Sequence, residues 1–195
     1  ESFIGSSDNS LGQGASEDSP VPAVVSGSIP PNKSDIDTFY VASEVVNGKL
    51  LLYLGWTRHN TLGTANFDFE LNQSSTLSSN GITPVRTAGD RLITFDFASG
   101  GNRVELAVLT WITSGPTTQC EANNKLPCWG NRVDLDSAAL AEGRVNDGFP
   151  VFDPIANVTR LSQRFGEAAI NLTDSGIVPA GSCAGFASAY VKRRS

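Results

Sequence analysis

The chain has 195 residues, and its 20 Asp and Glu outnumber its 14 Lys and Arg, which gives a net charge of −6 at pH 7. This acidic balance argues against nucleic acid as a partner, because binding to a phosphate backbone depends on clustered Lys and Arg. The one basic cluster, residues 192–194, is typical of a solvated tail or of the edge of a longer chain. No apolar run approaches the ~20 residues that a membrane span needs, so we expect no direct membrane insertion.

Residues 1–34 are rich in Gly, Ser, Pro and acidic side chains. Prolines at positions 20, 22, 30 and 31 favour extended backbone over helix. We therefore predict an extended N-terminal arm, which packs as an edge strand through Val24 and Val25. The chain lacks Met even at position 1, and its polar start, "ESFIGSSDNS", is consistent with the removal of a signal peptide.

Within this arm the stretch "SSDNSLGQGASEDSPVP", residues 6–22, gathers acidic side chains around two glycines. One interpretation is a calcium loop in which Asp8, Glu17 and Asp18 supply oxygens, joined by Asp35. It is not an EF-hand, because Ser19 stands where that motif has its bidentate Glu. The other interpretation is a solvated polar arm, and the sequence leaves both open.

The next segment, "DTFYVASEVVNGKLLLYLGWTR", holds two apolar runs joined by Asn47-Gly48. Asn-Gly between such runs is a strong signal for a β-hairpin. Residues 66–72, 90–97 and 103–113 follow with alternating or continuous apolar patterns, which predict three further strands. The last of these is apolar on both faces, which indicates a strand between two layers or under a loop.

One face of the strand at 66–72 carries Asn66, Asp68, Glu70 and Asn72, because side chains alternate along a strand. Three interpretations stay open. The face is plainly exposed to solvent, or it binds a saccharide through Asn66, Asp68 and Glu70. In the third, Asp68 and Glu70 are the acid and base of a glycosidase, which places two carboxylates at a comparable separation.

Two cysteines, Cys120 and Cys128, bracket the polar stretch "EANNKLP". A zinc site would need more ligands, since the chain has no CxxC motif and a single, distant histidine. We therefore prefer a local disulfide to two buried thiols, and a disulfide implies an oxidising compartment. Cys183 is then expected to be unpaired within this chain.

The aromatic residues and the histidine favour structure over catalysis. Trp56 and Trp111 fall inside apolar runs and are expected in the core rather than on a sugar-stacking platform. Trp129 follows the second cysteine directly and is expected to pack on the disulfide. His59 stands in "TRHNTLG", and no GxSxG motif occurs, so a histidine-based nucleophilic site is disfavoured.

Beyond Thr113 the pattern weakens, and we predict a loop-rich insertion over residues 113–165. A short strand is expected at 167–172, whereas "CAGFASAYVKRR" fits helix and strand equally. Short strands separated by regular turn signals indicate an all-β fold. We predict one domain over residues 1–195, an antiparallel β-sandwich of jelly-roll type.

Several stretches resemble the N-terminal region of a family of secreted actinobacterial cell-surface proteins. They are "DNSLGQGASEDSPVPAVVSGSIPPNKSDI", "GWTRHNTLGTANFDFELNQS", "NGITPVRTAGDRLITFDFASGG", "TWITSGPTTQCEANNKLPCWG" and "FGEAAINLT". In that family this β-rich region usually precedes prealbumin-like (SpaA-like) repeats and often a cell-wall anchor. The family's counterpart of "CAGFASAYVKRRS" continues to another cysteine, so the resemblance implies a partner for Cys183 downstream of Ser195.

These observations favour a non-enzymatic structural or adhesive module of a secreted bacterial cell-surface protein or surface filament. Its expected partners are other copies of itself or other surface proteins. The alternative is a carbohydrate-binding module that uses an exposed sheet face, with glycans as ligands. Calcium is the one cofactor that the sequence suggests.

Overall fold

The computed structural model describes residues 9–11, 17–26, 35–59, 66–98, 103–122, 125–179, 181 and 185–194. Within these ranges the fold is all-β and contains no α-helix, only a single 3₁₀ turn at Thr117–Gln119. The strands, in chain order, are β1 Asn9–Leu11, β2 Val24–Ser26, β3 Ile36–Val46, β4 Lys49–Arg58, β5 Asn66–Asn72, β6 Arg91–Ala98, β7 Arg103–Ile112, β8 Cys128–Trp129, β9 Val133–Asp134, β10 Ala141–Val145, β11 Val151–Asp153, β12 Val158–Arg160, β13 Phe165–Asn171 and β14 Ser188–Arg194.

Most of the strands form two antiparallel sheets. The four-stranded sheet has the order β10-β13-β4-β3, and the six-stranded sheet has the order β14-β5-β6-β7-β8, with β9 also paired to β7. Two small hairpin-like pairs, β1 with β2 and β11 with β12, complete the described strands. The all-β, antiparallel prediction is confirmed, whereas this strand order does not establish jelly-roll connectivity.

The predicted Asn-Gly hairpin is present and joins β3 to β4. Asn47 and Gly48 have φ values of 51° and 76°, the positive values that a two-residue type I′ turn requires at both positions. The turn sets the register, in which Val46 is opposite Lys49 and the pairing continues without a shift to Thr38 and Thr57.

The main core lies between the inner faces of the two sheets. Trp56 of β4 is fully buried, and its ring centroid lies 4.6 Å from that of Phe67 and 5.1 Å from that of Phe97. Apolar side chains at alternate positions of the strands fill the rest, as a half-buried strand pattern predicts. These buried side chains include Leu52, Leu54, Phe69, Leu71, Ile93, Phe95, Leu106, Val108, Ala168 and Ile170.

A second apolar cluster lies on the other side of the six-stranded sheet. It consists of Leu92, Leu109, Trp111 and Trp129, and the rings of the two tryptophans meet edge-on at 5.0 Å. This cluster explains why β7 is apolar on both faces. It agrees with the prediction that this strand lies between two layers or under a loop. The expected burial of Trp56 and Trp111 is likewise confirmed.

The last third of the chain supplies regular structure to both sheets. The range 113–165, predicted as a loop-rich insertion, contains β10, which forms an edge of the four-stranded sheet beside β13. The segment "CAGFASAYVKRR", whose pattern fits helix and strand equally, contains β14. This strand pairs with β5 along seven residues. The expectation that residues 192–194 form a solvated tail is wrong for Lys192, which is only 8% exposed because β14 belongs to the sheet.

The predicted disulfide is confirmed, since Cys120 and Cys128 are bonded with their Cα atoms 5.7 Å apart. Cys183 lies outside the described residues, so its expected unpaired state stays a prediction. In the described part of the chain, no helix is both long and apolar enough to cross a membrane.

Removing the disulfide should cost measurable stability. We expect the double variant Cys120→Ser/Cys128→Ser to lose about 2 kcal/mol of unfolding free energy, since cross-linking a short loop reduces the entropy of the unfolded chain. Urea unfolding of the variant and of the oxidised wild type measures the difference. Reduced wild type is the control and should match the variant, and equal midpoints for oxidised and reduced protein would contradict the expectation.

Candidate functional site

The face of β5 that looks polar in the sequence is covered in the structure. Asp68 and Glu70 are both 0% exposed, and Asn66 is half-buried. The expectation of an exposed sheet face is therefore wrong for Asp68 and Glu70, whereas Asn66 is partly accessible. The cover comes from distant parts of the chain, namely residues 17–22, which we call the strap, and the side chains of Arg86 and Lys192.

Glu70 is the centre of a buried ion cluster. Its two carboxylate oxygens accept hydrogen bonds from Nε and Nη2 of Arg86 at 2.8 and 2.9 Å, the bidentate geometry that makes such pairs strong. Lys192 Nζ lies 3.4 Å from Oε2 of Glu70, and Asn72 Nδ2 donates to Oε1 at 2.9 Å. The side chains of Arg86 and Lys192 are only 5% and 6% exposed, so both cations are buried together with the carboxylate that they pair with.

This environment shifts the pKa of Glu70. Burial by itself raises the pKa, but the hydrogen bond from Arg86 and the positive charges of Lys192 and Arg86 outweigh it, so the pKa lies below its ordinary value. Glu70 is therefore an ionised structural carboxylate at neutral pH. A carboxylate held in this way is a poor proton donor, which disfavours the glycosidase interpretation of Asp68 and Glu70.

Two tryptophans form the wall behind the cluster. The guanidinium carbon of Arg86 lies 4.8 Å from the ring centroid of Trp111 and 5.1 Å from that of Trp129. Lys192 Nζ lies 5.9 Å from the Trp129 ring. Cation–π contacts of this kind are strongest where water is excluded, so the second apolar cluster and the ion cluster stabilise one another.

The strap is held by the same cations. Arg86 Nη1 donates to the backbone carbonyls of Glu17 and Ser19 at 2.8 and 2.9 Å, and the Glu17 carboxylate lies 3.1 Å from Lys192 Nζ. Asp18 is 6% exposed and accepts a hydrogen bond from the backbone N–H of Trp129 at 2.7 Å. Acidic residues of the opening stretch are thus ordered by an arginine, a lysine and a backbone amide.

The predicted calcium ligands are not gathered into one site within the described part of the chain. There, no group of three or more His, Cys, Asp or Glu is arranged to hold a metal ion. Glu17 and Asp18 lie in the strap, whereas Asp35 precedes β3, where its backbone carbonyl accepts the N–H of His59. Asp8 lies outside the described residues, so its part in a calcium site stays a prediction.

A groove of about 500 Å³ opens on the outer face of the four-stranded sheet, away from the core. We call it the sheet groove. Alternate residues of the four strands form its floor, and the segment from Val151 to Ile155, which includes β11, forms one wall. The floor side chains include Tyr40, Ala42, Tyr53, Glu142, Arg144, Phe165, Glu167 and Ala169.

The register of the hairpin explains the shape of this floor. Tyr40 is opposite Gly55, and Ala42 is opposite Tyr53, so each aromatic residue faces a small one across the strands. A Cβ atom on Gly55 would lie 3.4 Å from Cδ2 of Tyr40, which shows that the tyrosine ring lies over the glycine. Small residues beside large rings leave a depression between them.

Both tyrosine hydroxyls are fixed by carboxylates. Tyr40 donates to Asp153 at 2.6 Å, and Tyr53 donates to Glu44 at 2.6 Å. Burial and the bond to Asp153 raise the pKa of Tyr40, and the bond to Glu44 raises the pKa of Tyr53. Asp153 also accepts a hydrogen bond from Arg160 at 3.2 Å. Because Tyr40 is on the floor and Asp153 is on the wall, their hydrogen bond holds the wall against the floor.

Exposed charged groups lie on the floor of the sheet groove, and exposed apolar groups lie on its wall. Arg144 is bonded to Glu142 at 2.6 Å, and both side chains are largely exposed. Phe152 and Ile155 on the wall are 58% and 79% exposed. The groove therefore combines ring faces with carboxylates and a guanidinium that have room to bind a ligand.

The candidate ligand-binding residues predicted from the sequence lie on β5 of the six-stranded sheet, and none of them lines the sheet groove. A signal for it was present, because Tyr53 alternates with the apolar residues Leu52 and Leu54, which belong to the core. Combining that alternation with the hairpin register places Tyr40 and Tyr53 on one outer face. The missing element was the wall at 151–155, which no local pattern connects to β3.

No family model matches this chain, and neither a curated protein nor a solved structure is significantly similar to it.

Proposed function

We propose that the protein is a non-enzymatic adhesive module of a secreted bacterial cell-surface protein or surface filament, and that its ligand binds in the sheet groove. The observation that carries the proposal is the outer face itself, where Tyr40, Tyr53 and Phe165 line a depression next to exposed charged groups. Ligand sites in proteins typically combine such an apolar, concave surface with a few fixed polar groups.

The ligand class that this surface fits best is a saccharide chain. The apolar faces of sugar rings stack on aromatic side chains, and sugar hydroxyls donate to carboxylates. Glu142, Glu167 and Arg144 supply acceptors and donors at one side of the floor. The carbohydrate-binding alternative is thus retained, but on the four-stranded sheet and through different residues.

Secretion and surface display belong to the same proposal. The disulfide between Cys120 and Cys128 favours an oxidising compartment, and the resemblance to secreted actinobacterial surface proteins points the same way. A sandwich of jelly-roll type is the fold that we propose for such a module. His59, the single histidine, directly follows β4 and is not among the residues that line the groove.

Replacing Tyr53 by Ala should abolish most glycan binding. On a glycan array we expect wild-type protein to bind a limited set of saccharides, and Tyr53→Ala to bind the same set about tenfold more weakly, since one stacked ring contributes about 1 kcal/mol or somewhat more. Calorimetric titration with the best array ligand measures the loss.

The matched control is Phe149→Ala, because Phe149 is an aromatic residue 58% exposed that does not line the groove. This variant should bind as wild type does. If wild-type protein binds no saccharide on the array, the proposed ligand class is contradicted. If the two variants lose glycan affinity equally, the proposed site is contradicted.

A further inference from the structure

Among the described residues, β3 is a long strand at the edge of the four-stranded sheet. It runs for 11 residues, and of the strands that the structure describes it pairs with β4 alone. Natural edge strands are commonly short, or are interrupted by Lys, Pro or bulges that prevent pairing with another chain. β3 contains neither Lys nor Pro, and its one irregularity lies at its start, between Ile36 and Thr38. The rest is a regular template for a further strand.

Backbone hydrogen bonds of β4 determine which groups β3 presents at this edge. Leu50 accepts from the N–H of Leu172, and Arg58 donates to the carbonyl of Arg164, so the even-numbered residues of β4 bond toward β13. The odd-numbered residues of β4 then bond the even-numbered residues of β3, because successive residues point to opposite neighbours. The free edge of β3 therefore presents the backbone groups of Phe39, Val41, Ser43 and Val45.

Phe39 packs against the main core, but two apolar side chains of this part of β3 are largely uncovered. Val41 and Val45 are opposite Leu54 and Leu50 and so lie on the core side of the sheet. They are nevertheless 42% and 69% exposed. Unpaired edge groups thus coincide with exposed apolar side chains, a combination that favours association with another strand.

We propose that a second copy of this chain occupies this edge, with the two β3 strands antiparallel about a two-fold axis at Ala42. Phe39 of one copy is then opposite Val45 of the other, and Val41 is opposite Ser43, so the exposed Val45 gains an aromatic neighbour on the core side of the sheet. A two-fold contact of this kind is the commonest form of self-association.

The charges of β3 are compatible with this register. Glu44 of one copy stands opposite Tyr40 of the other, and Asp37 is opposite Asn47, so no two carboxylates face each other directly. Ala42 meets Ala42 at the axis, where these small side chains allow close approach of the strands on the outer face. Pairing makes one continuous sheet, from four strands of each copy, with both sheet grooves on the same side.

A cysteine at the axis tests both the pairing and its register. In a Cys183→Ser background, Ala42→Cys should form a covalent dimer on mild oxidation, because directly opposed residues of this type have Cα atoms about 4.5 Å apart, within disulfide range. Glu44→Cys is the matched control. Its two copies would be four residues apart along the strands, about 13 Å, and should not cross-link. Failure of Ala42→Cys, or equal cross-linking of both variants, would overturn the proposal.

Light scattering on size-exclusion fractions tests the dimer without an engineered cysteine, with a reductant-treated sample to exclude a disulfide through Cys183. Wild-type protein should shift from monomer to dimer as its concentration rises. Val41→Lys should raise the dissociation constant at least tenfold, whereas Val158→Lys, at a valine 41% exposed on β12, should leave it unchanged. Circular dichroism confirms that both variants are folded. A wild-type protein that stays monomeric at millimolar concentration, or a Val41→Lys variant as dimeric as wild type, would refute the pairing.

Discussion

Replacing Arg86 by Met should lower the free energy of unfolding by about 3–5 kcal/mol, the usual cost of removing one partner from a buried ion pair. The carboxylate of Glu70 is 0% exposed and would lose both hydrogen bonds of its bidentate partner. The strap would lose the donor to the carbonyls of Glu17 and Ser19 at the same time. Urea unfolding at pH 7 measures the effect.

The control is Lys49→Met, which removes an exposed ion pair. Lys49 and Asp174 are 2.5 Å apart, but their side chains are 50% and 38% exposed, and such pairs contribute about 0–1 kcal/mol. If Arg86→Met and Lys49→Met lower the free energy of unfolding by the same small amount, the buried ion cluster does not stabilise the fold more than an exposed ion pair does.

The Arg86 effect should also depend on pH in a defined direction. The pKa of Glu70 is lower in the folded protein than its ordinary value, so the ionised pair contributes fully above the unfolded pKa of about 4.3. That contribution is lost as the pH falls through the folded pKa, because the protonated carboxyl no longer requires the guanidinium. The difference between wild type and Arg86→Met should therefore narrow below about pH 4.

Replacing Gly166 by Ala should lower the free energy of unfolding by about 3 kcal/mol, the upper part of the range for overpacked cores. A Cβ atom there would lie 2.2 Å from Cζ2 and 2.5 Å from Cε2 of Trp56. The Trp56 ring cannot retreat easily, because it is fully buried and packed against three phenylalanine rings. Thermal and urea unfolding measure the loss.

Gly185→Ala is the matched control for this prediction. A Cβ atom on Gly185 meets no heavy atom within 4 Å, so the substitution should change stability by no more than about 0.5 kcal/mol. If Gly166→Ala unfolds at the same midpoint as Gly185→Ala, the core near Trp56 adapts to the added methyl group. The close approach of β13 to the indole is then not required.

The outer faces of the two sheets have different roles, as the ion cluster and the sheet groove show. On the six-stranded sheet, the outer face is closed by the strap and its cations, and the polar residues there hold the structure together. On the four-stranded sheet, the outer face keeps exposed rings and charges. The surface that we propose for a ligand is thus the one whose rings and charged groups stay exposed.

Local features of this protein were determined by the sequence alone. The β3–β4 hairpin follows from Asn47-Gly48, the disulfide joins cysteines eight residues apart, and the apolar alternation of β5 and β6 gives the core face. Each of these depends on interactions within a short stretch, where turn geometry and side-chain period act directly.

The tertiary structure alone decided which polar face is buried and which is open. Alternation showed that Glu70 and Asp68 share a face, but it could not show that Arg86, Lys192 and the strap cover that face. Likewise, Tyr40 becomes part of a groove only when Asp153, 113 residues away, is placed beside it. Burial of a charge depends on its partners, and these partners come from distant positions that no local pattern relates to it.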